Sequence, residues 1–414
     1  MASSRDLDIV LLGTTGYTGK LCAEHIVQHL PSDLKWGIAG RSAGKLEDIK
    51  KQIKLLNPDR LDPEILVVNL QPAELDGLSK KTRVLINCVG PYHLYSTPVV
   101  EACANNGTHY LDVTGETPWV REIVSKYHVK AKSTGALMIP SAGVESGPPD
   151  ILAWALVKSI QERYSVGVKD MIIAIHEMKA SGPSGGTLST ILNVIGNYSF
   201  SDLIKANDPF CLAYDPRSQA PKSIRRSTTQ KLFGIRFIPE LGNLTSSPAE
   251  MCDAATMHRS STMMPKLYGR DYQAQIHVNV RNPIVGILIH IGFRLGMLAL
   301  LLPPVRWLAR NFIYAPGQGP TKQDGKDDRV EYRGIAIADQ QSAKPSRALG
   351  ILSYENGPYP LSGLLLAEAA MVILSNDAIA KEFAGFSTPA VLGQDYVDRL
   401  DVVGVSIQTR IIDT

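Results

Sequence analysis

Gly13-Thr14-Thr15-Gly16-Tyr17-Thr18-Gly19-Lys20 is the stretch that decides the fold of this 414-residue chain. An apolar run, residues 8–12, leads into it, and residues 20–30 follow with helical spacing. Strand, glycine-rich turn and helix in that order make a dinucleotide-binding turn. Gly13 makes the tight turn, Gly16 lets the backbone approach a pyrophosphate, and Gly19 lets helix and strand pack closely. The helix start offers N–H donors and the positive end of its dipole to the phosphates, with Thr15, Tyr17 and Thr18 in the same loop. The spacing is G-x-x-G-x-x-G rather than G-x-G-x-x-G, so the reading rests on context more than on the pattern.

Working outward, strand and helix patterns alternate through the first 150 residues. Strands are expected at 35–39, 64–69, 83–89, 110–113 and 136–139, and helices at 43–56, 98–106 and 117–128. Repeated βα units of this length predict a parallel sheet covered by helices. The end of the second strand selects the cofactor. An NAD site wants an acidic residue there, bonded to the ribose 2′-OH. This chain has Gly40-Arg41-Ser42, with Lys45 a turn later. Arg41 can fork onto a 2′-phosphate and Ser42 can donate a further bond, so NADP(H) is expected over NAD(H). The bland reading of Arg41 is a solvated residue at a helix start. The fourth strand ends Asn87-Cys88-Val89-Gly90-Pro91-Tyr92. Ligands sit at the carboxyl ends of such strands, which puts Asn87, Val89, Gly90 and Pro91 beside the ribose and nicotinamide.

After Pro148-Pro149 the pattern changes to a mixed α+β one. Residues 1–150 are read as the nucleotide domain and 151–355 as a substrate and dimerisation domain. Residues 356–414 form C-terminal helices, at 362–375 and 388–400. The polar stretch 316–329 is expected to be an exposed loop. Hydrophobic residues make up 44% of the chain, which excludes wholesale disorder. With 43 Lys+Arg against 40 Asp+Glu the net charge is +3, and nucleic acid is not a natural partner. Five scattered cysteines without C-x-x-C spacing read as reduced thiols. The N-terminus has no apolar signal-peptide core. A cytoplasmic location follows as an expectation.

Taken together, several motifs resemble the saccharopine dehydrogenase-like oxidoreductases. They are Gly13–Gly19, Ala39-Gly40-Arg41, Val89-Gly90-Pro91-Tyr92, residues 107–116 (GTHYLDVTGE) and residues 143–150 (GVESGPPD). Later matches are Gly185-Gly186-Thr187, His258-Arg259-Ser260, residues 316–320 (PGQGP) and Ser387-Thr388-Pro389-Ala390. The likeness spans nearly the whole chain. It is closest to the branch of trans-acting enoyl reductases and lipid-droplet saccharopine dehydrogenase-like proteins. It implies an α/β fold: a Rossmann-type doubly wound parallel sheet, with a second α+β domain that mediates a homodimer and closes over the site, and C-terminal helices, 356–414, that return to the Rossmann domain. Two departures stand out. Asn69-Leu70 follows the third strand where the family often has an acidic residue. Gly143-Val144-Glu145-Ser146 replaces the usual G-F-D-S, so a longer carboxylate stands where the aspartate was. Saccharopine itself is not expected as substrate, because the second domain shows no arginine cluster to hold its carboxylates.

Reduction of a C=C or C=N bond needs a hydride and a proton. The residues placed to reach a nicotinamide include Tyr92, His93, Tyr95, Asp112 and Glu116. Tyr92 or His93 is the expected proton donor, with Glu116 as the carboxylate that orients it. Tyr92 stacking on the cofactor and Glu116 capping a helix are the plainer alternatives. No metal-ligand spacing and no G-x-S-x-G elbow are present, so a metal site and a serine hydrolase are not expected. Residues 284–302 form an apolar run of near membrane-spanning length, with His290 and Arg294 inside it and Pro303-Pro304 after it. Burial or a dimer interface is favoured for 284–314, a membrane or lipid-droplet surface comes next, and a span last. The expected function is NADPH-dependent reduction of a C=C or C=N bond in an apolar, lipid-like or secondary metabolite. The alternative is a non-redox cyclase, isomerase or lipid-surface scaffold that keeps the dinucleotide fold.

Overall fold

A computed structural model describes residues 5–182, 185–213, 224–310 and 324–412. Six strands form one parallel sheet: β1 (Leu7–Leu12), β2 (Trp36–Gly40), β3 (Glu64–Val67), β4 (Thr82–Asn87), β5 (His109–Asp112) and β6 (Leu137–Ile139). Their spatial order is β3-β2-β1-β4-β5-β6. The order reverses between β1 and β4, so a crevice opens there at the carboxyl ends of the strands.

Both faces of this sheet are covered, and the strand sequences alternate accordingly. Ile9, Leu11, Ile38, Val84, Ile86 and Leu111 pack in one cluster with helices Tyr17–His29, Ala43–Lys54 and Pro358–Ser375. Val10, Leu12, Leu85 and Tyr110 point the other way, toward helices Pro72–Lys81, Thr97–Asn106 and Thr117–Thr134. Burial on both sides is what makes these strands read as near-continuous apolar runs.

The second sheet is mixed. It contains β7 (Val168–Lys179), β8 (Arg236–Ile238), β9 (Gly242–Ser246), β10 (Gln273–Val280), β11 (Arg329–Ala338) and β12 (Arg347–Tyr354). Strand β7 pairs parallel with β10 and antiparallel with β11. Helix Gly147–Tyr164 lies on this sheet. Gly334 and Gly350 sit opposite each other in the β11–β12 ladder, and a Cβ on either would lie 2.8 Å from Leu156 or Leu152 methyls. Two glycines thus let the helix come down onto the strands.

The C-terminal part crosses between the domains. Helix Pro358–Ser375 packs against Tyr17–His29, and β13 (Gly385–Phe386) adds in parallel to β6. The chain then leaves again. β14 (Ser406–Ile412) pairs with β12 at the edge of the second sheet, so 356–414 is not wholly a return to the nucleotide domain. Ile407 and Ile411 face the core in the alternation that marks a strand. The expected helix at 388–400 is a 3-10 turn, Pro389–Leu392, followed by helix Gly393–Val402. Gly393, at φ 62°, breaks the two apart. Most of the expected loop at 316–329, and the motif at 316–320, lie outside the described residues.

The apolar run is not buried within its own chain, which removes one half of the expectation and leaves the dimer interface. Helix Pro283–Leu300 begins at Asn282, whose side chain accepts from the Val285 N–H at 3.0 Å. Only Gly286 and His290 are buried in it, and residues 291–298 are exposed on every side. A second short helix, Pro303–Arg310, follows after a turn at Leu301-Leu302, and the two form a helix–turn–helix hairpin. The helix that the core does cover is Pro358–Ser375: 72% of it is buried against 11% of Pro283–Leu300. Residues 311–314 of the expected segment lie outside the described ones.

Helix Pro358–Ser375 supplies a test of the packing. A Cβ on Gly363 would lie 2.7 Å from the Cys22 backbone nitrogen. Gly→Ala inside an exposed helix stabilises by about 1 kcal/mol. Here the sign reverses: Gly363→Ala is expected to cost about 1–3 kcal/mol in denaturant unfolding, because the two helices must part. A stabilised variant would refute the close crossing.

Candidate active site at the mouth of the parallel sheet

The loop after β1 separates its three glycines by what each faces. Gly13 has φ 85°, and a Cβ there would lie 2.8 Å from the Cys88 carbonyl carbon. A Cβ on Gly19 would overlap the Gly13 carbonyl oxygen. These two glycines are demanded by the protein's own backbone. Gly16 is different. Its φ of −78° suits any residue, and a Cβ would meet only the Gly13 oxygen at 3.2 Å and the Cys88 oxygen at 3.8 Å. Its bareness serves whatever approaches from outside the loop. Helix Tyr17–His29 has no side-chain cap at its start, so its first turn faces the crevice with the dipole's positive end. Thr15 is exposed at the rim, Thr18 is half-buried, and the Tyr17 ring stands edge-on to Tyr359 with centroids 5.1 Å apart. These residues fit the phosphates of a dinucleotide.

At the end of β2, Arg41 is exposed, and no hydrogen bond or ion pair engages it among the described residues. Ser42 caps helix Ala43–Lys54, its Oγ accepting from the Lys45 N–H at 3.4 Å. The Lys45 side chain is exposed beside it. Two cations and a helix start therefore cluster where a 2′-phosphate would lie.

The β4 loop is held from within. Asn87 is buried; its amide donates to Ser96 Oγ (2.8 Å) and Tyr110 Oη (3.0 Å), and its Oδ1 accepts from the Val89 N–H (3.1 Å). Its side chain shapes the turn, which leaves backbone, not the Asn87 amide, at the crevice. The Val89 carbonyl accepts from Ser96 Oγ at 2.8 Å, Gly90 is exposed and Pro91 half-buried. Tyr92 is turned inward. Its hydroxyl donates to the Asn87 carbonyl at 3.2 Å, and its ring lies 5.6 Å from Trp119. Burial pushes that hydroxyl well above the ordinary tyrosine range. Tyr92 therefore acts in packing rather than facing the crevice.

Glu116, fully buried, gathers the next strand end. Its carboxylate accepts from the Tyr92 N–H (2.7 Å), the His93 N–H (2.9 Å) and His93 Nδ1 (2.6 Å). Holding the proton on Nδ1 leaves Nε2 as the imidazole's outward atom. Asn197, from the second domain, meets that atom at 3.0 Å. Nearby Asp112 ties β5 to β6: it accepts from the Thr114 and Ser141 N–H groups, both at 2.9 Å, and from Tyr110 Oη at 2.7 Å. Burial pushes it up to about 7. Tyr95 is exposed on the outer side of this turn.

Three side chains at this junction carry no prior expectation. Asn197 comes from a helix with no chemical motif. Glu145, in the loop after β6, lies against Gly115, where a Cβ would collide with its carboxylate. Asp253, on helix Glu250–Met263, accepts from Ser146 Oγ at 3.1 Å and keeps its other oxygen buried without a partner. The replaced aspartate in the 143–146 motif was the one available signal for Glu145. Asp253 has none.

Residues 9–139 match the family described as the saccharopine dehydrogenase NADP binding domain. Over its full length the chain is 28% identical to a trans-acting enoyl reductase of Mycobacterium bovis, covering 98% of each chain. It is 26% identical to a trans-acting enoyl reductase of Mycobacterium ulcerans, again over 98% of both. Among solved structures, saccharopine dehydrogenase (L-Glu forming) of Saccharomyces cerevisiae superposes with a TM-score of 0.54 at 12% identity. That match covers 98% of this chain and 100% of the other, and it shows a shared fold.

Cofactor choice should follow the one guanidinium. Arg41→Ala is expected to weaken NADPH binding about 10- to 100-fold, the worth of roughly 1.5–3 kcal/mol in charge-assisted hydrogen bonds. NADH binding should not change. Titration of both cofactors by fluorescence checks this, and equal losses for the two would place the 2′-phosphate elsewhere.

Proposed function

Starting from a saccharopine dehydrogenase-like chain whose first domain binds NADP(H), we propose an NADPH-dependent reductase of a C=C bond in an apolar, lipid-like substrate. The observation that carries this reading is the placement of an uncapped helix start, bare Gly16 and unpaired Arg41 on the same crevice as the Glu116–His93 pair. When bound, NADPH supplies a hydride. The chain supplies the rest. The first turn of Tyr17–His29 and Arg41 hold the phosphates, while the loop after β4 sets the depth of the crevice. Glu116 fixes the His93 imidazole in one tautomer, and Asn197 brings the second domain onto it. The preference for C=C over C=N draws on the mycobacterial relatives, which are named as trans-acting enoyl reductases.

The lipid character rests on the hairpin. Leu288, Leu295, Leu298, Leu302, Trp307 and Leu308 are all more than half exposed. Between residues 281 and 310 stand four arginines, Arg281, Arg294, Arg306 and Arg310, and no Asp or Glu. Apolar side chains with cations and no acids suit a surface of anionic headgroups, and Arg294 within the helix favours insertion into the headgroup layer over crossing the bilayer. Arg306 donates to the Ile195 carbonyl at 3.4 Å, and Ile195 belongs to helix Gly185–Asn197, whose last residue meets His93. One helix thus joins the hairpin to the site.

Two measurements test the proposal. With a medium-chain trans-2-enoyl thioester, the purified protein should consume NADPH and form the saturated thioester. Tight NADPH binding with no oxidation by enoyl or imine probes would instead favour the non-redox alternative of a cyclase, isomerase or scaffold. In flotation, the protein should bind phosphatidylserine vesicles more than phosphatidylcholine ones, less so at high salt, and Leu295→Glu with Leu298→Glu should abolish it. A concentration-dependent dimer lost in that double variant, without vesicle binding, would assign the hairpin to a second copy.

A further inference from the structure

We propose that Glu145 is the acid that delivers the proton to the substrate α-carbon, an inference that rests on the reductase reading above. Glu145 stands at the carboxyl end of β6, one strand beyond the Glu116–His93 pair at the end of β5. The second half of such a sheet holds the nicotinamide side of a dinucleotide. The loop that carries it is fixed at both ends: the Ala142 N–H donates to the Asp112 carbonyl at 2.8 Å, and the Val144 N–H to Ser362 Oγ at 3.1 Å. Its carboxyl rests in the space left by the missing side chain of Gly115.

The other proton donors at this end of the sheet are spoken for. Tyr92 donates to the Asn87 carbonyl, Tyr332 to the Val144 carbonyl at 3.0 Å, and Tyr110 to Asp112. His93 is held between Glu116 and Asn197. Cys252 lies 3.1 Å from Ser146 Oγ, and burial pushes its thiol up to about 12. Among the described residues, no hydrogen bond engages the Glu145 carboxyl. Across from it, Asp253 is fully buried, and one of its carboxyl oxygens has no partner among the described residues.

The groups that face Glu145 are Glu116 from the β5 loop, Asp253 and Cys252 from helix Glu250–Met263, and Tyr332 from β11. Three are carboxyls or thiols and none is a cation. Burial, and then repulsion from Glu116, push Glu145 up to about 7. Burial, and then repulsion from Glu145, push Asp253 well above the ordinary carboxylate range, so the two acids favour a shared protonated state. In the reaction, the cofactor's hydride forms the bond to the β-carbon as the C=C π pair moves to the α-carbon. The Glu145 O–H breaks, the α C–H forms, and the carboxylate takes a proton back from water. NADPH is oxidised and the double bond reduced, with one proton consumed overall.

Glu145→Gln tests this because it keeps shape and loses the proton. NADPH affinity and melting temperature should stay at wild-type values, while kcat on the enoyl thioester falls about 100-fold or more. Wild-type kcat should decline as pH rises through about 7, where the acid loses its proton. That decline should persist in Glu145→Asp and vanish from the residual activity of Glu145→Gln. Gly115→Ala, which displaces the carboxyl but leaves it titratable, should lower kcat and keep the decline. A Glu145→Gln enzyme with wild-type kcat, or with the same alkaline decline, overturns the assignment and leaves the reductase reading standing. A wild-type protein inert toward every enoyl probe overturns both.

Discussion

A parallel sheet has no face it can show to water, and that constraint organises this protein. Ile9 and Leu11 of β1 are buried on one face and Val10 and Leu12 on the other, so both sides of the first sheet need a layer of helices. One layer is complete within the first domain. The other is not: it takes helix Pro358–Ser375 from the far end of the chain, laid against Tyr17–His29 where Gly363 gives it room. The chain must go out to build the second domain and come back before the first domain's core is closed. The second domain is thereby held at the mouth of the first, and the crevice lies between them.

The chemistry of that crevice is graded by charge. Toward β2 it is cationic, with Arg41 and Lys45 exposed and a helix start between them. Toward β5 and β6 it is acidic, with Glu116 on the His93 imidazole and Glu145 and Asp253 in each other's field. A dinucleotide laid across such a field has its phosphates at the positive end and its reacting ring at the negative one. The acids differ in task. Glu116 spends both oxygens on three donors and serves geometry. No hydrogen bond engages Glu145 among the described residues, and burial pushes its carboxyl up to about 7.

How much of this was legible in the sequence follows from what each feature depends on. The loop from Gly13 to Gly19 and the end of β2 are local, and short-range spacing sufficed to place them. Arg41 was readable because cofactor choice hangs on one charge at a fixed turn. Glu116 and His93 were readable as residues at strand ends, though not the three bonds between them. The inward turns of Asn87 and Tyr92 were not, since they depend on Ser96, Tyr110 and Trp119 arriving from other elements. Two 18-residue apolar helices posed the harder ambiguity. Composition alone does not distinguish Pro283–Leu300 from Pro358–Ser375. The difference is a partner: nothing stands within 4 Å of a Cβ on Gly292 or Gly296, whereas Gly363 is pressed against Cys22. Asp253 lies in a stretch with no motif, and only the folded chain brings it to Glu145.

The late return of Pro358–Ser375 has a consequence for how the chain is made. Domains tend to fold as units during synthesis, from the N-terminus onward. Here the first six strands of the sheet can be translated while one of its faces still waits for a helix more than two hundred residues downstream. Until that helix leaves the ribosome, Ile9, Leu11, Val84 and Ile86 have an incomplete cover and present a sticky surface to solvent. The nascent chain is therefore a natural client for chaperones that mask apolar surface. A ribosome stalled before residue 358 would hold an intermediate that cannot close on its own.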